Sequence, residues 1–178
     1  MKKYNFMKHV NPKIAAISAF VSAGILVASL ILGILVNMNG NLFLSRIGGV
    51  IATILLLIFT LIKLDGYLNF SKPRLLVIMV WTMMALVILN SAAEVWSNLG
   101  NFPTIILITT WALLGLATIV FGTSILKLKK IDYGTPIGVL YIIQGAFNIT
   151  IILAILGSLM AIPIYIVEGL MFLKAAKK

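Results

Sequence analysis

The 37 residues from Ile137 to Leu173 contain no Lys, Arg or Asp and a single acidic residue, Glu168. One straight helix of that length would run about 55 Å, at ~1.5 Å per residue. A bilayer's hydrocarbon core is only about 30 Å thick. The run therefore has to fold, and its folding fixes how many times the chain crosses a membrane. The small pair Gly157-Ser158 is where the turn is expected, between spans of about 137-156 and 158-173.

Four further apolar runs precede it, at about 14-36, 47-62, 75-93 and 104-126. With six spans and a cytoplasmic N-terminus, thirteen of the 14 basic residues fall on the inner side and Arg46 stands alone outside. With five spans, Lys174, Lys177 and Lys178 would move outside. The positive-inside bias favours six. The expected fold is an all-α polytopic integral membrane bundle of six transmembrane helices, with both termini cytoplasmic. A basic tail (1-13) leads into a single transmembrane domain (14-173), and a second basic tail (174-178) closes it. The run Ile14 to Val36 exceeds the 7–15-residue apolar core of a signal peptide, so it reads as an uncleaved first span.

Composition agrees. The chain is 62% hydrophobic and 10% charged, where soluble domains carry about 25% charged residues. The deficit means that lipid covers most of the surface. The net charge of +10 does not imply nucleic acid, because the cations lie between apolar runs, where they mark topology and meet anionic lipid headgroups. The bilayer is thus the expected partner, with a protein subunit or a second copy of the chain as a further one. The expected location is the cell membrane, of the prokaryotic cytoplasmic type.

The chain has no cysteine, so disulfides and thiolate metal sites are excluded. His9 is its only histidine, which removes two-histidine metal sites and Ser-His catalysis. No glycine-rich phosphate-binding motif is present. No enzyme, cofactor or metal is expected.

Boundary signals recur. Pro12, Pro73 and Pro136 precede the odd-numbered spans. Lys63, Lys127 and Lys174 close the even ones, where a cation suits a helix C-terminus. Gly40-Asn41 and Gly100-Asn101 mark the first two outer turns, a pattern that fits three tandem helical hairpins or simply the alternation that any six-span bundle must show. The segment Lys63 to Arg74 reads as an inner loop, with Asp65, like Asp132, a solvated turn residue. Tyr67, Phe70, Trp96, Phe102, Trp111 and Tyr133 lie near boundaries, as interfacial aromatics do, whereas Trp81 sits deeper and reads as packing.

In span one, Ala15, Ala19 and Ala23 recur every four residues, alongside Ser18, Ser22 and then Ser29, Gly33. Such rows let helix backbones approach closely. In size and span count the chain resembles the substrate-binding subunits of energy-coupling-factor transporters, which pair with separate ATPases. The alanine row is similar to one used there for docking, and the resemblance would make it a subunit contact. No matching substrate loop accompanies it.

Glu168 is the costliest residue in the chain. A central carboxylate costs roughly 2.5–3.5 kcal/mol on insertion scales, so it must face the bundle interior. A turn at Gly157 would bring Gln144 level with it. Asn148 lies one turn beyond Gln144, with Tyr141 three residues before it and Tyr165 three before Glu168. The cluster reads as a structural hydrogen-bond network or as a polar-solute or proton-coupled site. Asn90 and Glu94, four residues apart, form a second candidate pair at the outer face. The expected function is a small non-enzymatic multi-pass membrane protein with a structural, assembly or regulatory role. The alternative is a solute-binding or transport component using Glu168, Gln144 and Asn148.

Overall fold

The computed structural model describes residues 9–38, 42–70, 74–100, 103–128, 131–150 and 154–177. The tail 1–8, Gly40-Asn41, Lys72, Pro73, Asn101, Phe102, Lys129, Lys130 and Lys178 lie outside the described residues. Six helices make up the fold: α1 (Pro12–Met38), α2 (Leu42–Tyr67), α3 (Arg74–Leu99), α4 (Thr104–Leu126), α5 (Gly134–Ile149) and α6 (Ala154–Ala175). A 3-10 turn, Leu68–Phe70, follows α2. There is no strand among the described residues. Five of the helices are long and apolar enough to cross a membrane; α5, with 16 residues, is shorter.

Each helix packs on its neighbour in sequence, and α6 closes on α1, so the six form a ring. Neighbours run antiparallel. Gly66 of α2 lies against Ala15 of α1, Gly48 against Leu32, and Gly122 of α4 against Gly138 of α5. Consequently Pro12, Tyr67, Arg74, Leu126, Gly134 and Ala175 share one end, which we term the basic end. Local signals set the helix starts. The Asn11 side chain accepts from the Lys13 amide at 2.9 Å and caps α1, with Pro12 in the first position, where its missing N–H costs nothing. Gly100 ends α3 at φ 116, a left-handed conformation that favours glycine.

The expected loop starting at Lys63 is helical as far as Tyr67. Gly66, read as a turn signal, is a close-approach residue: an added Cβ would come within 2.5 Å of the Ala15 Cβ. Similarly, α2 starts at Leu42 and α3 continues past Glu94 to Leu99, so both are longer than the apolar runs alone.

The 37-residue run does fold into two helices, but α5 ends at Ile149 and α6 begins at Ala154, so Gly157-Ser158, the expected turn, lies within α6. Thr150 takes an extended ψ of 103, and its hydroxyl donates back to the carbonyls of Ala146 and Phe147. That local bonding competes with helix continuation in a β-branched stretch. Gly157 lies inside α6 because Asn148 crosses it, where a Cβ would fall 2.0 Å from Oδ1.

The core lies toward the basic end, around Ala15, Leu64, Tyr67, Leu76, Val80, Phe121, Ile137, Ile164 and Phe172. The outward faces carry large apolar side chains, including Ile17, Ile34, Leu89 and Leu116. Trp81, expected as packing, is 54% exposed on that surface. The alanine row is covered within the chain: Ala15 and Ala19 are fully buried and Ala23 nearly so. Helices α2 and α6 cover that face within the chain.

Candidate functional site

Glu168 sits on α6 with its side chain fully buried, about two turns from the helix end. Its Oε1 accepts hydroxyl hydrogen bonds from Tyr67 of α2, at 2.5 Å, and from Tyr141 of α5. Its Oε2 faces the Lys63 ammonium at 2.7 Å and has no other partner among the described residues. Lys63 Nζ also donates to the Tyr141 hydroxyl at 3.3 Å and lies 3.8 Å from the centre of the Tyr165 ring. The ring faces attract the cation and help replace lost water. Phe121 of α4 meets both tyrosines edge to face, at 5.1 Å each, and Phe172 meets Tyr67 at 5.2 Å. The cluster is a compensated ion pair, sealed by aromatic rings, that joins α2, α5 and α6.

Tyr141, Tyr165 and Glu168 therefore come together as the sequence implied, while Gln144 and Asn148 do not join them. Gln144 donates to the Gly157 carbonyl at 3.3 Å, and Asn148 packs on the same glycine. With the turn earlier, Gln144 meets Gly157, 11 residues or about three turns before Glu168, and Tyr141, three residues before Gln144, reaches Glu168 instead. Lys63 and Tyr67 are the residues that sequence reasoning missed. Once α2 is helical to Tyr67, their four-residue spacing puts them on one face, and that spacing was the available signal.

The expected outer pair forms. Asn90 donates to Glu94 Oε1 at 2.7 Å, and the Trp111 indole donates to the same oxygen at 3.2 Å. Thr53 of α2 adds a side-chain hydrogen bond, and Thr110 donates to Asn90 at 3.3 Å. No Lys or Arg among the described residues pairs with Glu94. One turn on, Asn98 packs over Gly49.

At the basic end, Asp65 is not a solvated turn residue. It accepts from the Val10 amide at 2.6 Å and faces His9 Nδ1 at 3.5 Å, fastening the lead-in to α1. Asp132 pairs with Lys174 at 3.4 Å, both partly exposed. No group of His, Cys, Asp or Glu among the described residues has a metal-binding arrangement.

Compared with known protein families, curated proteins and solved structures, the chain matches none. Its site has to be understood from its own chemistry.

Proposed function

We propose that this chain is a non-enzymatic, six-span protein of the cell membrane, of the prokaryotic cytoplasmic type, with both termini cytoplasmic. In this reading it is a membrane scaffold, locked at its cytoplasmic end and open at the opposite end. The observation that carries the reading is the enclosure of Glu168. Tyr67 and Tyr141 donate to one of its oxygens, Lys63 faces the other, and the side chain is fully buried, away from any open solute path. Isolated, either charge would be expensive in a membrane; paired, the two fix which helix faces meet.

Two features support six spans over five. Helix α5 runs antiparallel to both α4 and α6, and Lys174 reaches Asp132 beside the end of α4. Among the described residues, Lys13, Lys63, Arg74, Lys127, Lys174 and Lys177 lie toward the basic end, against Arg46 alone at the other. A second reading, as a solute-binding or transport component, is favoured by Glu94, whose partners are all neutral donors.

Comparison of Glu168→Gln with Glu168→Ala tests the scaffold reading, through expression and unfolding in detergent micelles. Destabilisation by both, without a selective loss of growth or uptake in folded protein, is the expected result. A Glu168→Gln chain as stable as wild type that has selectively lost growth or uptake would overturn it. Because the chain has no cysteine, single cysteines at exposed Thr150 and at Ala176 report topology by labelling. Access from opposite sides is expected; access from one side would reject six spans.

A further inference from the structure

Between the far halves of α1 and α2 lies a cleft of about 450 Å³, bounded also by Asn98 of α3. A second chamber of about 290 Å³ adjoins it and shares Ile51 and Asn98. The larger is lined by small residues, including Ser29, Gly33, Gly48 and Gly49. Rows of small residues ordinarily draw membrane helices together, yet a Cβ at Gly33 would meet nothing within 4 Å. The space is left between the helices and not closed by them. The smaller chamber contains Arg46, which is exposed and is the sole cation between α1 and α2 at that end.

We infer that this cleft binds one anionic phospholipid from the surrounding leaflet, an acyl chain in the larger chamber and headgroup oxygens on Arg46. The apolar lining suits a hydrocarbon chain, and the larger volume falls within the roughly 300–1,000 Å³ typical of ligand sites. An apolar cavity at hydrocarbon depth gains dispersion contacts when a chain fills it. A guanidinium forms bidentate bonds with phosphate oxygens, and Asn98, which borders both chambers, supplies a polar wall at their junction. The Lys63–Glu168 cluster takes no part, so the inference is independent of the scaffold reading and of which membrane face the cleft opens toward.

The test uses an unlabelled Ala52→Cys chain and, separately, the full chain with a fluorophore on a cysteine introduced by Ile54→Cys, an exposed position of α2 outside the cleft lining, reconstituted in phosphatidylcholine vesicles. These are doped with either brominated phosphatidylglycerol or brominated phosphatidylcholine. Half-maximal quenching is expected at a roughly fivefold lower mole fraction of the anionic lipid, the factor that one cation supplies near an anionic surface. Arg46→Gln should abolish that preference while quenching persists. Gly33→Phe, which adds a ring where nothing now packs, should reduce quenching by both lipids. Equal quenching by the two lipids, or a preference that survives Arg46→Gln, would overturn the proposal. So would near-complete disulfide dimerisation of the unlabelled Ala52→Cys chain, which would place a second copy in the cleft.

Discussion

At the basic end, glycines are contact points. A Cβ on Gly66 would come within 2.5 Å of Ala15, and one on Gly169 within 2.5 Å of the Phe20 ring. At the middle and in the far half of α1, Gly24 and Gly33 meet nothing within 4 Å. The same residue type thus brings helices together at some positions and packs against nothing at others. What differs is the partner. Near the ion pair, Ala15 fills the space at Gly66 and the Phe20 ring the space at Gly169, whereas nothing packs on Gly24 or Gly33 of α1, although Gly48 and Gly49 across the cleft meet Leu32 and Asn98. Membrane helices gain little from hydrophobic burial against each other, because lipid is equally apolar. Close packing and polar bonds must therefore hold the bundle, and the basic end has most of both.

Substitutions should separate the two halves. The largest effect is expected from Lys63→Met, which leaves Glu168 buried without its cation and should cost about 3–5 kcal/mol in unfolding measurements. Next comes the α4–α5 contact. Gly115 faces the Gly145 carbonyl and Gly122 the Gly138 carbonyl, with hypothetical Cβ distances of 2.5 to 2.9 Å in both directions. Gly138→Ala, near the basic end, should cost about 1–3 kcal/mol by overpacking against Leu126 and the Gly122 carbonyl. The matched change in the open half, Gly33→Ala, should instead stabilise by up to about 1 kcal/mol through helix propensity. Equal losses at the two glycines would remove the distinction between the halves.

Gly100→Ala should cost about 1–2 kcal/mol, because an added Cβ resists the left-handed backbone there. The smallest effect is expected at Ser22, whose buried hydroxyl has no partner among the described residues. Ser22→Ala should be neutral or slightly stabilising, since it removes a desolvated group without losing a bond. A loss above about 1 kcal/mol would show that the hydroxyl is bonded after all.

The helical class and the folding of the last apolar run were legible from run length and charge. The Asn90–Glu94 contact was legible from spacing within one helix. Register between helices was not, because glycine has two meanings that a lone sequence does not separate. Gly157 and Gly66 resemble turn residues, yet each lies within a helix because a neighbour crosses it closely. Among the described glycines, only Gly100 has the positive φ that a turn reading implies. The misplaced turn at Gly157 put Gln144 opposite Glu168, and the loop assigned after Lys63 hid its true partner. Helix length was underestimated for a related reason. Apolar runs end where polar residues begin, but Lys63 and Glu94 continue their helices by finding partners inside the bundle.

The central claim is that Lys63 and Glu168 act as one unit. A double-mutant cycle with Lys63→Met, Glu168→Leu and the combined chain, read by unfolding in detergent micelles, measures it directly. Each single change should be strongly destabilising, because each leaves a buried charge unpaired, while the double should recover most of the loss, as buried pairs replaced together by apolar residues often do. The account predicts a coupling of at least about 2 kcal/mol, toward the upper part of the range found for contacting groups. Losses that simply add would mean that the two side chains act separately, and would contradict it.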